Sequence, residues 1–301
     1  MRMRTKVVIG VVVLAVAGGA AGWAMSTPRP ITAAELPQHV ADIANGERMY
    51  HVAGCISCHK PSKDSGIAAT VPAGGTAFKT PVGTFYPPNL TPDKETGIGD
   101  WTDVEFVNVV QRGINPEGEN LVPALPYTSY AGMKTEDVLD IFAYLKSLPP
   151  VSSAEKEADM PLPWLLRRGV GLWKWLGLST VAWRPDASQT ESWNRGAYLV
   201  NTAGHCNECH TPRGLLLLPD WSRKLAGGPH PGGEGKVPSL RDLIGRQRYT
   251  DVADLSSAFA NGELMGYEHL SSGGMGDVQS NLSQLPQTDI DAIAEYVASL
   301  R

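Results

Sequence analysis

All four cysteines of this 301-residue chain fall in two copies of one pattern, Cys55-Ile-Ser-Cys58-His59 and Cys206-Asn-Glu-Cys209-His210. Whatever chemistry that pattern serves constrains the chain more than any other feature. Disulfides need no histidine beside them. A four-cysteine zinc site would join pairs about 150 residues apart and leave both histidines idle. A thioredoxin-like redox pair needs a βαβ setting that the sequence does not show.

The remaining chemistry is the attachment of c-type haem, which C-x-x-C-H signals in an exported chain. The two thiols add across the two vinyl groups, and the adjacent histidine becomes the proximal iron ligand. The sequence therefore predicts two covalently attached haems c. Cys55, Cys58 and His59 hold one, and Cys206, Cys209 and His210 hold the other.

Export is written at the amino terminus. Arg2, Arg4 and Lys6 precede an uncharged run from Val7 to Met25. Nineteen residues at 1.5 Å each make about 28 Å of helix, close to the hydrocarbon thickness of a bilayer. Basic residues ahead of the run place the N-terminus in the cytoplasm and the body outside it, and Trp23 near the outer end suits the interface. Residues 1–26 read as a signal anchor. The small residues from Ala15 to Gly22 also fit a cleaved signal peptide, and either reading exports the body.

The chain carries a net charge of −5, and the body beyond the basic N-terminal segment is more acidic still. That argues against a nucleic-acid partner, which needs Lys and Arg on phosphates. There is no G-x-G-x-x-G and no P-loop. With 32 Gly and 23 Pro, much of the body is expected to be loop.

The chain reads as an internal duplication. Asn45–Gly54 precedes the first motif and Arg195–Gly204 the second, each as a helix feeding into the attachment turn. Pro88-Asn-Leu90 and Pro238-Ser-Leu240 follow. Thr102 and Glu105 form a capping box opening a helix to about Arg112, and Thr250 is the expected N-cap of a matching helix to about Ala260. Each half closes on a helix, Thr135–Leu148 and Thr288–Leu300. Val138, Ile141, Phe142 and Leu145, then Ile290, Ile293, Val297 and Leu300, recur at helical spacing. The expected fold is mainly α: domain 1 over 27–150, a linker over 151–190 and domain 2 over 191–301, behind the N-terminal helix.

Each half resembles a class I cytochrome c domain. Together they resemble the multihaem cytochrome c subunits of membrane-bound bacterial dehydrogenases for alcohols, aldehydes and sugar acids. The resemblance is carried by the stretches Asn89–Asp93, Glu95–Thr102, Pro123–Met133, Trp193–Val200 and Gly204–Arg213. It implies an electron-transfer protein rather than an enzyme. A membrane-bound dehydrogenase subunit would be the donor, and quinone, a terminal oxidase or another cytochrome the acceptor. The location implied is the cytoplasmic membrane, with the haem domains facing the periplasm. Those subunits commonly carry three haem domains, whereas this sequence shows two.

A methionine thioether opposite the histidine raises the potential of such a haem. In the second half, Met275 lies in Gly273-Gly-Met-Gly276, expected as a loop that resembles the family's ligand loop; Met265 is the other candidate, with packing as its bland role. In the first half the repeat places a ligand near Leu125, where some relatives carry Met. Leucine cannot bind iron, so Met133 takes the role by elimination. Without it, the first iron has water or nothing opposite His59. That state belongs to the rival reading, a peroxidase-like dihaem enzyme with one open haem.

The linker holds the Trp-rich stretch Pro161–Leu178, read as a helix packing on both haem domains or as an interfacial helix. Arg112 and Arg213 are candidates for pairing with haem propionates. Tyr86, Trp101 and Tyr127 are candidate pocket walls, and His205 adjoins the second pocket. His39, His51, His230 and His269 read as ordinary surface or core residues.

Overall fold

The structure is a computed structural model and describes residues 2–80, 83–154, 156–159, 163–214, 216–231, 235–262 and 274–301. It opens on helix α1 (Arg2–Met25), whose apolar side chains from Val7 to Val16 face outward. Among the described residues this is the one helix long and apolar enough to cross a membrane, over Thr5–Met25.

The body is built twice from the same parts. In the first half α2 (Ile43–Val52) runs into α3 (Cys55–His59). Then come α4 (Asp103–Val107), continued by a π-helical turn to Arg112, α5 (Tyr127–Tyr130) and α6 (Thr135–Ser147). After α7 (Pro163–Gly177), the second half has α8 (Glu191–Asn201), α9 (Cys206–His210), α10 (Val252–Asn261), α11 (Gly274–Leu282) and α12 (Gln287–Ser299). Each half adds one small antiparallel ribbon. β1 (Phe78–Thr80) pairs with β2 (Gly83–Phe85), and β3 (Gly228–Pro229) with β4 (Lys236–Val237).

Local signals set most of the helix starts. Asp42 accepts from the Asn45 amide and Thr190 from the Trp193 amide. The Thr102–Glu105 capping box forms as its sequence predicts. At α10 the cap lies one residue later than expected. Asp251 accepts from the Asp254 amide, and Thr250 instead directs its own amide and hydroxyl at the Asp254 carboxylate. An aspartate next to a threonine competes for the same orphan amides and caps at least as well.

In each half the first helix crosses the last at near-contact distance. A Cβ built on Gly46 of α2 would lie 2.0 Å from the Asp140 carbonyl oxygen and 2.9 Å from the Tyr144 Cβ of α6. On Gly196 of α8 it would lie 1.8 Å from the Ala292 carbonyl oxygen and 2.9 Å from the Tyr296 Cβ of α12. Only glycine lets the two backbones approach so closely. The apolar stripes of α6 and α12 are buried behind these crossings, with the Phe106 and Phe142 rings stacked at 4.6 Å.

One continuous apolar core runs through both halves. Polar contacts cross the seam: the Tyr198 hydroxyl of α8 donates to Asp137 of α6 and accepts from the Lys134 amide at 3.1 Å. Helix α7 touches both halves and the end of α1. The Trp173 indole donates to the Leu216 carbonyl at 2.9 Å, and Arg168 lies 3.8 Å above the Trp23 ring. Lys174 donates to the Arg112 and Gly113 carbonyls that end the π turn.

Candidate haem-binding sites

Both attachment turns are folded by the same device. A residue in left-handed conformation, Gly54 (φ 61°) or His205 (φ 41°), turns the chain out of the preceding helix and into the five-residue helix bearing the motif. Glycine takes that conformation freely, and histidine is among the side chains that tolerate it. Each short helix then carries its cysteines three residues apart, one turn of the same face, with the histidine next in line.

The two histidines have matching seats. His59 Nδ1 lies 2.8 Å from the Pro88 carbonyl and His210 Nδ1 lies 2.8 Å from the Pro238 carbonyl. A carbonyl can only accept, so each Nδ1 carries the proton and each Nε2 keeps its lone pair. The supporting loops are pinned alike. The Gly74 amide donates to the His59 carbonyl at 2.7 Å and the Gly227 amide to the His210 carbonyl at 2.7 Å. Both glycines are left-handed and press against the proline-bearing segment. Burial pushes His59 down to about 4 and His210 down from its ordinary value, so both rings are neutral at neutral pH. Burial also pushes Cys55 and Cys206 up to about 12, which keeps them as thiols.

These residues fit a c-type haem. Two protonated thiols on one face suit addition to vinyl groups, and a neutral imidazole with its Nδ1 tied back suits an iron ligand. Burial and the neighbouring Glu208 carboxylate push the Cys209 thiol up against the opposing pull of Arg213, whose buried Nε has no partner.

The cytochrome c family model matches residues 43–149, which contain the first attachment turn. A dihaem c-type cytochrome of Cereibacter sphaeroides is 38% identical over 297 residues, spanning 98% of both chains. The chain belongs to the cytochrome c family. Two further relatives of this cytochrome are the fructose dehydrogenase cytochrome subunit of Gluconobacter japonicus, 33% identical over 87% of this chain, and the gluconate 2-dehydrogenase cytochrome c subunit of Pantoea cypripedii, 34% identical over 86%. The cytochrome spans nearly all of its Cereibacter relative but only 53% and 59% of the other two.

The expected sixth ligands fall in different settings. Met275 is half-buried against the core, in the first turn of α11 rather than in a loop. Glycines on either side did not prevent helix, since the chain from Asp277 to Leu282 carries it. Met133 is 1% exposed, in the turn between α5 and α6. Met265 and His269 lie outside the described residues.

Of the other candidates, Arg213 is engaged by Glu208 Oε2 at 2.5 Å, and the Tyr127 hydroxyl donates to the Leu121 carbonyl beneath Lys174. Trp101 packs on the core, and Lys156 lies over the Tyr86 ring. His39 pairs with Asp140, Oδ1 at 2.6 Å.

Sequence reasoning missed the reciprocal bracing of the two attachment turns. Helix α11 of the second half lies on α3, where Lys60 pairs with Asp277 at 3.1 Å and Asn281 donates to the Ser57 hydroxyl at 3.0 Å. Helix α5 of the first half lies on α9, where the Thr128 and Ser129 hydroxyls both donate to Glu208. The Tyr130 hydroxyl reaches the Ala53 carbonyl at 2.7 Å, and its ring meets His205 edge-on at 5.7 Å. Ser57 and Glu208 occupy the free x positions of C-x-x-C-H, a signal visible in sequence only to a reader looking for partners.

Glu208→Ala removes two hydroxyl partners and leaves the Arg213 guanidinium buried. The expected loss is about 2–3 kcal/mol of stability, measured by denaturant unfolding of the holoprotein. Asp277→Ala, at a pair about half exposed, is expected to cost less than 1 kcal/mol. Equal costs would show that the two braces are equivalent.

Proposed function

We propose that this protein is a membrane-tethered, periplasm-facing dihaem cytochrome c, made of two tandem class I domains over 27–150 and 191–301. It carries electrons from a dehydrogenase towards the respiratory chain. The observation that carries the reading is the pair of matching histidine seats, His59 on Pro88 and His210 on Pro238, in a chain aligned end to end with a dihaem cytochrome. Relatives named as cytochrome subunits of fructose, gluconate and quinone-linked alcohol dehydrogenases support a dehydrogenase as donor. Quinone, an oxidase or a further cytochrome is the acceptor.

When bound, each haem supplies a one-electron Fe(III)/Fe(II) couple. The chain's part is positional. Cys55, Cys58, Cys206 and Cys209 tether the group, and His59 and His210 present Nε2 with fixed ring orientation. Met275 offers a sulfur on the second site. The buried Tyr130–His205 contact and the Glu208 brace hold the two attachment turns against one another, so neither can shift without the other.

Two measurements test the reading. Stopped-flow mixing with a membrane-bound sugar-acid or alcohol dehydrogenase and its substrate is expected to reduce both haems within the enzyme's turnover time. Haems that stay oxidised sink the carrier role. Removal of residues 2–26, with a cleavable export signal in their place, is expected to move the cytochrome from the membrane pellet to the periplasmic fraction. Wild-type protein already found soluble and beginning beyond Ala17 shows that the segment is a signal peptide.

A further inference from the structure

Ahead of their last helix the two halves share a backbone order but exchange two residue types. The second half reads α11 with Met275 in its first turn, Leu285, α12, and the first reads Leu125, α5, Met133, α6. The registration of α6 on α12 is set by packing, since Gly46 meets Asp140 and Tyr144 where Gly196 meets Ala292 and Tyr296.

In that register Met133 and Leu285 correspond. Each stands in the turn two residues before the closing helix, and each is buried in the shared core, 1% and 7% exposed. The backbone at Met133 is clamped in the seam. Gln111 Nε2 donates to the Met133 carbonyl at 2.9 Å, the Trp183 amide to the Gly132 carbonyl at 2.9 Å, and the Lys134 amide to the Tyr198 hydroxyl. Leu125, two residues ahead of α5, takes the place that Met275 has in the first turn of α11, since both are half-buried on the core.

We propose that Met133 is a packing residue, as Leu285 is, and that Leu125 fills the first half's counterpart of the Met275 position. Among the described residues the chain then supplies no sulfur opposite His59, and the sixth position of the first iron is left to a small, neutral diatomic ligand. This rests on the reading of two attached haems. His39 pairs with Asp140, the His205 ring stands edge-on to Tyr130, and His51 lines a cavity with Gln284 and Pro286, its Nδ1 buried without a partner. An apolar Leu125 wall favours a neutral ligand, because an anion would lose hydration there without a partner. The histidine seats are alike, so they do not account for a difference in ligation between the sites.

The experiment uses the full-length holoprotein, with haem counted as pyridine haemochrome. Carbon monoxide is titrated into the reduced form, and the methionine–iron charge-transfer band is measured in the oxidised form. Wild type is expected to bind one carbon monoxide per two haems and to show the band of one methionine ligand. Met133→Leu, which places leucine where the second half has it, is expected to change neither reading. Leu125→Met is expected to double the band and abolish carbon monoxide binding. Two haems with a band that halves in Met133→Leu, or a wild type that binds no carbon monoxide, overturn the proposal alone. Fewer than two haems in the wild type overturn the two-haem reading and this proposal with it.

Discussion

Replacing Cys206 and Cys209 together by serine is expected to halve the covalent haem, from two groups per chain to one, and to leave the second half without a stable fold. Serine cannot form a thioether, so the remaining bond would run through His210 alone. Helix α9 has five residues, far below the length at which a helix persists unaided. What surrounds it is largely loop between His210 and α10, pinned by single bonds such as Gly227 to the His210 carbonyl. A haem buried there adds to the few apolar anchors of those loops, Leu225, Leu240, Leu243 and Tyr249. Mass spectrometry of the denatured protein reads the haem count, and limited proteolysis reads the fold. A variant that keeps two covalent haems refutes attachment at the second motif. One that loses a haem but keeps protease resistance shows that the second half folds without it.

Gly196→Val is expected to be the most damaging single substitution away from the motifs, costing about 3 kcal/mol or more. The added Cβ would lie 1.8 Å from the Ala292 carbonyl oxygen, which belongs to the backbone of α12 and cannot rotate away. Helices α8 and α12 must separate, and the seam at Tyr198 opens with them. For a body of this size the melting temperature is expected to fall by about 10 °C. Gly46→Val should behave alike in the first half, where the obstacle is the Asp140 carbonyl oxygen at 2.0 Å. Gly169 of α7, with nothing within 4 Å of its Cβ position, is the control. Gly169→Ala should be neutral or stabilising by up to about 1 kcal/mol, because alanine favours helix. Calorimetry of the three holoproteins checks the series. Equal melting temperatures for Gly196→Val and Gly169→Ala would mean that the crossing is not close.

Legibility followed the distance over which each property is encoded. The attachment chemistry sits in five contiguous residues, and its reagents are side chains found in few other roles, so Cys55 to His59 and Cys206 to His210 announce a haem without any fold. Helix periodicity is nearly as local. The closing helices Thr135–Ser147 and Gln287–Ser299 bury the residues that their spacing marks. Capping was readable to within a residue, and failed at Thr250 only because Asp251 beside it is an equal competitor.

Tertiary structure alone decided what faces those motifs. The groups that seat His59 and His210 are the carbonyls of Pro88 and Pro238, and every residue has a carbonyl, so nothing in the sequence marks these as the partners. The close approach at Gly46 and Gly196 is likewise a contact with backbone oxygen, visible only once the helices cross. The bracing of α3 by α11 and of α9 by α5 joins residues from opposite halves, up to 224 positions apart. Met133 shows the limit from the other side. Elimination over the sequence offers it as a ligand because it is the only thioether in the first half beyond His59, and the fold seats it in the turn before α6 as it seats Leu285 before α12, so the carbon monoxide titration decides its role. Residue type states what a side chain can bind; the packing of the helices decides which groups stand opposite it.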